Sequence, residues 1–225
     1  MNKLEIACFN LQSAVIAQEN GADRVELCNE ITVGGTTPDF KLVEKVRQLI
    51  TIDLNVMIRP RGGNFVYSNQ EFNQMKSDIL AFKKLEVNGF VFGVLNENKA
   101  VNKTQNLELV ALAHPIPCTF HRAFDEVLNV FQSLEDIIEC GFQSILTSGQ
   151  KSNVVDGITI LSELVTKANN RITIMPGGGL RAENCERIRD TTKAVYFHSS
   201  AIIDNSEIAN AVEINSIKMK LNQKL

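Results

Sequence analysis

Runs of five to seven apolar residues, rich in Val, Ile and Phe, alternate along the chain with longer stretches whose apolar positions recur at helical spacing. The short runs predict strands beginning near Leu4, Arg24, Asp53, Gly89, Ile116, Ser144, Arg171 and Ala194. The longer ones predict helices over 11–20, 40–49, 69–86, 103–113, 130–139, 155–168 and 182–190, with a last one past Glu207. Start and stop signals support several of them: Thr37-Pro38-Asp39 precedes the second helix, Gly21 ends the first and Asn88-Gly89 follows the third. From Leu4 to Ala194 the seven intervals average about 27 residues, enough for a strand, a crossover helix and two loops. Eight such units predict a closed (β/α)8 TIM barrel, one domain over 1–225, with strand-helix units to about residue 201 and a helical segment after them. An open doubly wound sheet is the runner-up, disfavoured because eight similar units leave no obvious edge strand.

Alternation along each strand separates residues that meet the helices from residues that face the barrel interior. Leu4, Ile6 and Cys8 fall on the helix side, as do Val25 with Leu27, Leu54 with Val56 and Ile58, Cys118 with Phe120, and Val195 with Phe197. The inward set is then Glu5, Ala7, Arg24, Glu26, Cys28, Asn55, Met57, Arg59, Thr119, His121, Tyr196 and His198, joined by Thr147 at the end of the sixth strand. Burying Glu, Arg and His without pairing costs several kcal/mol, so this polar interior points to structural ion pairs or to a working pocket at the C-terminal mouth.

The loops after these strands add candidate chemistry. Arg59-Pro60-Arg61-Gly62-Gly63 offers two guanidinium forks and a permissive turn suited to a carboxylate or phosphate. Gly177-Gly178-Gly179 follows the seventh strand and Ser199-Ser200 the eighth, the usual place for a phosphate in such barrels, and Thr147-Ser148 lies at the neighbouring strand end. His121 ends the fifth strand with Arg122 beside it and Asp125 four residues on, an arrangement for general acid or base work. His114, before Pro115 at a helix end, reads as structural.

Composition narrows the partners. Twenty-three basic against 26 acidic side chains leave a net charge of −3, which disfavours a nucleic-acid surface. No apolar run reaches the ~18 residues of a membrane span, and Met1-Asn2-Lys3 leads straight into strand-like sequence, so a cytoplasmic location is expected. The five cysteines, Cys8, Cys28, Cys118, Cys140 and Cys185, form no CxxC pair and read as reduced thiols. A homo-oligomer is compatible with all of this.

Six segments carry a family resemblance: Gly21 to Cys28, Gly34 to Pro38, Ile58 to Gly63, Thr119 to Asp125, Leu146 to Gln150 and Phe197 to Ala201. Together, from Glu5 to Ala201, the chain resembles the CutC copper-homeostasis family. The resemblance implies a cytoplasmic (β/α)8 barrel associated with copper tolerance and with copper binding. In family members the proposed ligand pair is a cysteine on the first strand and the cysteine that ends the second. The second corresponds to Cys28, whereas the first aligns with Ala7; the neighbouring Cys8 lies on the opposite face, because a shift of one residue reverses a side chain. Val66 likewise stands where some relatives carry cysteine.

Cu(I) favours soft ligands, so Cys28, with Met57 as a candidate thioether, makes a weakened copper site. A second expectation is an enzyme. Arg59, Arg61, Thr147, Ser148, the glycines 177–179, Ser199 and Ser200 would hold a small anionic metabolite. His121 would transfer a proton with Glu26 or Asp125 as partner, and His198 would complete the set. A non-catalytic binding protein is the third expectation, although no exposed apolar stripe marks a docking face.

Overall fold

In a computed structural model, which describes residues 1–204 and 206–223, eight strands form one parallel sheet that curls into a barrel. They are β1 (Lys3–Cys8), β2 (Arg24–Leu27), β3 (Asp53–Met57), β4 (Gly89–Phe92), β5 (Cys118–Phe120), β6 (Ser144–Thr147), β7 (Thr173–Pro176) and β8 (Tyr196–Ser199). The α-helices that cover them are α1 (Leu11–Glu19), α2 (Phe40–Leu49), α3 (Asn69–Phe82), α4 (Lys103–Ala113), α5 (Val130–Glu139), α6 (Ile158–Ala168), α7 (Cys185–Thr192) and α8 (Ala211–Asn222). The predicted (β/α)8 architecture holds, with strand starts within two residues of expectation. The larger shifts are at helix ends. The third helix stops at Phe82 and continues as a 3-10 turn, while the sixth and seventh begin at Ile158 and Cys185, each three residues late, after turns that complete the loops at the mouth.

Local chemistry explains most helix starts. Asn10, Asp39, Ser68, Asn102, Asn129 and Asn210 each accept a hydrogen bond from a backbone N–H of the first turn, and Ser68 forms a full capping box with Glu71.

The sheet runs β7-β6-β5-β4-β3-β2-β1-β8, and β1 pairs with β8 from Lys3 opposite Tyr196 to Ile6 opposite Ser199. No ladder joins β7 to β8 among the described residues. Gly177 donates its N–H to Thr147 O on the β6 side, so by alternation the Pro176 nitrogen faces β8, where it has no hydrogen to give.

The apolar side chains divide as alternation requires. Leu4, Ile6, Cys8, Val25, Leu27, Leu54, Val56, Phe120 and Phe197 belong to the large core between strands and helices. Cys28, Met57 and Val91, with Phe9 against them, form a separate small cluster inside the barrel. Cys8, Cys118, Cys140 and Cys185 all pack in the outer core, and only Cys28 is inside. Val195 departs from expectation: it precedes β8 and is exposed rather than packed beneath a helix.

Candidate functional site

The lower half of the barrel interior holds a closed polar network. Glu5 is fully buried and accepts from Arg24 Nε at 2.5 Å, from Asn55 Nδ2 at 3.4 Å and from His198 Nδ1 at 2.8 Å. Burial alone would raise its carboxyl, but Arg24 and then His198 hold it down at about 2. Burial likewise disfavours the His198 imidazolium, yet Glu26 and Glu5 outweigh that and raise it above its ordinary value. His198 therefore bridges two carboxylates, with Nε2 3.9 Å from Glu26 Oε2.

Above this network a cavity of about 270 Å³ opens at the C-terminal ends of the strands. Glu26, Cys28, Arg59, His121, Arg122, Gly178, Gly179, Arg181, His198, Ser199 and Ser200 line it, together with Ala7 and the apolar Phe9, Met57, Phe65 and Leu146. Glu26 Oε2 accepts from the Cys28 thiol at 3.5 Å, while Oε1 is buried without a partner among the described residues. Burial, reinforced by Glu5 and opposed by His198, pushes this carboxyl up to about 7. Burial and the neighbouring Glu26 push the Cys28 thiol well above its ordinary value.

His121 is set differently. The backbone N–H of Ala123 donates to its Nδ1 at 3.3 Å, which leaves the ring hydrogen on Nε2. Nε2 is buried and unpartnered among the described residues. Burial and the Arg59 charge lower its pKa to about 3, so the ring is neutral at physiological pH. Phe65 packs on it with ring centroids 4.8 Å apart, and a side chain on Gly93 would collide with Nδ1 at 2.9 Å. Arg59 is an organising residue: Nη1 donates to Val33 O and Gly35 O, Nη2 to Gly63 O, and its guanidinium lies over Phe65. Gly35, at φ +92, closes that loop over Cys28, and a Cβ there would stand 3.3 Å from Cys28 Sγ.

The predicted set is thus only partly assembled. Asp125 does not pair with His121. Its two oxygens take Thr147 Oγ1 at 2.5 Å, the N–H groups of Ser148 and Gln150, Ser148 Oγ and Arg122 Nε, because the 3-10 turn over Arg122–Glu126 aims it at the loop after β6. Thr147 consequently faces that clamp rather than the interior, and Leu146 takes the inward position. Ser148 Oγ accepts from Arg122 Nη2 and has Asp125 and Lys151 O as alternative acceptors for its one hydrogen, and it lines no part of the central cavity. Gly177 packs against Leu146 and His198, and a Cβ there would sit 2.4 Å from Leu146. Arg61 turns away: Glu71, Gly62 O, Asn64 and Val66 O occupy its guanidinium, and it lines no part of the central cavity.

Two arginines absent from the predicted set stand at the mouth instead. Arg181 donates to Ser199 Oγ, Leu180 O and Ile202 O, and Arg122 to Asp125 and Ser148, each with its side chain on the cavity wall. Between them, the N–H groups of Gly178, Gly179 and Ser200 have no acceptor among the described residues. The signal for both arginines was positional, since each lies within five residues of a strand end on the mouth side.

For metals, Glu5, Glu26 and His198 offer ligand atoms within 4.8 Å of one another, but Glu5 is already committed to Arg24. The soft donors are the Cys28 thiol and the Met57 thioether in the same small cluster, with Ala7 across from them on β1.

Fold and site together define a (β/α)8 barrel with an enclosed polar pocket at the C-terminal mouth. The family model described as CutC family matches residues 2–203, and the chain belongs to the CutC family. A copper homeostasis protein cutC homolog of Mus musculus is 43% identical over 198 residues, covering 88% of this chain and 73% of the relative. A CutC protein of Parabacteroides distasonis is 45% identical over 199 residues, covering 88% and 82%. The crystal structure of a copper homeostasis protein CutC from Streptococcus agalactiae superposes with a TM-score of 0.85 at 35% identity, covering 89% of this chain and 99% of that one. Phosphoribosylanthranilate isomerase of Thermotoga maritima, at 14% identity and a TM-score of 0.66, shares the fold. No helix among the described residues is long and apolar enough to cross a membrane.

Proposed function

We propose that the barrel mouth binds a small anionic metabolite and acts on it by acid/base chemistry. The observation that carries this reading is the convergence on one cavity of two buried side chains with unpartnered polar atoms, at Glu26 Oε1 and His121 Nε2, beneath Arg122 and Arg181. Native interiors rarely leave such atoms unmatched, and a ligand supplies the missing partners. Arg122, Arg181 and the N–H groups of Gly178, Gly179 and Ser200 form the anion end; Phe9, Met57, Phe65 and Leu146 enclose the carbon skeleton. With all five cysteines free, a reducing compartment such as the cytoplasm suits the protein.

Titration calorimetry with phosphoglycolate tests the reading. Binding weakened tenfold or more by Arg181→Ala and by Arg122→Ala is expected; affinity unchanged in both would overturn it.

A second reading, copper handling, is favoured by one observation, the Cys28 thiol and Met57 thioether packed together. Cu(I) bound there would displace the thiol proton, which burial holds tightly, and with Ala7 in place of a second thiol the site is weak. Anaerobic Cu(I) titration against a competing chelator should show binding that disappears in Cys28→Ala. Stoichiometric Cu(I) retained by that variant would place the metal elsewhere and end this reading.

A further inference from the structure

We infer that this mouth removes a proton from the carbon next to the carbonyl group of a phosphorylated substrate, with Glu26 as the base and the Nε2–H of His121 polarising the carbonyl oxygen. This rests on the acid/base reading above and specifies its reaction.

His121 decides the division of labour. Because Ala123 donates to Nδ1, the hydrogen sits on Nε2, and that nitrogen can only give a hydrogen bond. A second proton is opposed by Arg59 and by the enclosing rings of Phe65 and Phe120, so the imidazole is a neutral donor rather than a base or a cationic acid. A neutral donor held in a buried wall suits an oxygen that gains negative charge during reaction. The base must then be the other group with an open atom, and that is Glu26 Oε1. Glu26 is steadied from behind: Oε2 takes the Cys28 thiol, His198 stands 3.9 Å away, and Glu5 with Arg24 fixes His198.

The anion end supplies the rest of the substrate class. Three free backbone N–H groups and two guanidinium groups outnumber the acceptor directions of a carboxylate and suit the three peripheral oxygens of a phosphate. Gly178, at φ +103, has Arg122 Cζ only 3.2 Å from where a Cβ would stand, so the cradle exists because glycine occupies it.

The step balances without a co-reactant. The C–H bond breaks, its proton passes to Glu26, and its electron pair forms a carbon–carbon double bond. The carbonyl π pair moves to the oxygen facing His121. Return of a proton from Glu26 to the same carbon, on the face it left, restores the carbonyl and completes exchange with solvent.

Proton NMR in D2O, with glycolaldehyde phosphate, dihydroxyacetone phosphate and ribulose 5-phosphate as probes, reads the step as loss of the signal beside the carbonyl. For at least one probe the protein should exceed the buffer rate. Glu26→Gln should lower that rate at least a hundredfold and His121→Ala at least tenfold, while His121→Gln, whose carboxamide keeps an N–H, should retain more than His121→Ala. Exchange no faster than buffer for all three probes, with phosphoglycolate still bound through Arg181, would overturn this inference and leave the anion reading standing. Exchange unaffected in Glu26→Gln, with its circular dichroism and melting temperature unchanged, would overturn it as well. Loss of phosphoglycolate binding in the native protein would remove both.

Discussion

The two ends of the barrel interior are built from the same residue types and treat them in opposite ways. Below, Arg24, Glu5, Asn55 and His198 are bonded to one another, Arg24 lies over Tyr196 at 4.3 Å and reaches Met175 Sδ at 3.6 Å, and each charge has a counterpart. Above, Glu26, Arg59 and His121 each keep one buried polar atom with no partner among the described residues. Pairing makes buried charge tolerable, so the lower layer is a structural plug; the open valences above are the ones the proposed ligand would fill. What separates structure from function here is whether the hydrogen-bond inventory closes, since charge and burial are alike in both layers.

The sharpest way to break that comparison is to open the lower layer. Glu5→Ala leaves Arg24 and a raised His198 buried without their carboxylate, and should cost about 3–5 kcal/mol in urea unfolding. Glu26→Gln removes an equally buried carboxylate but one that lacks full pairing, and should change stability by no more than about 1 kcal/mol. Equal losses in the two variants would erase the distinction.

The pH dependence of unfolding sharpens it further. His121 has a folded pKa near 3 against an unfolded value near 6.5, so between those values the unfolded chain binds more protons and stability falls as pH falls. His121→Leu should therefore gain on the native protein by about 1.4 kcal/mol per pH unit between pH 6 and pH 4. The comparison of the two proteins isolates His121, because the raised Glu26 acts with the opposite sign in the same window. A constant difference across that range would show a charged His121. The smallest effect is expected at Arg61. Its bonds to Glu71 and Asn64 lie partly in solvent, so Arg61→Ala should cost under about 1 kcal/mol and leave phosphoglycolate affinity within twofold.

Alternation made much of this legible in the sequence. Glu5, Glu26, Cys28, Arg59, His121 and His198 face inward because a strand's period of two leaves no other choice once Leu4, Val25, Leu54 and Phe120 meet the helices. The same rule separated Cys8 from Cys28. It failed where the strand ended. Asp125 and Arg122 are carried by a 3-10 turn, Arg61 and Arg181 by loops, and there a side chain's direction follows from which carbonyls it can reach. Arg61 and Arg181 look equivalent as sequence, each in a glycine-rich segment after a strand. Only the positions of Glu71 and Val66 O for one, and of Ser199 and Ile202 O for the other, send the first outward and the second to the mouth. Thr147 shows the remaining weakness, since a one-residue error in phase at β6 exchanged it with Leu146.

The gap beside Pro176 has a mechanical consequence. Seven strand junctions are stitched by backbone ladders, whereas β7 and β8 share none among the described residues and are tied at the mouth by side chains, Ser199 Oγ donating to Leu180 O and Arg181 to Ser199 Oγ. Gly178 and Gly179 stand on one lip of that seam and Ser200 on the other. A ligand gripped by both lips would add a further tie across a seam that has no backbone ladder, and amide hydrogen exchange along β7 and β8 would slow on binding more than anywhere else in the barrel.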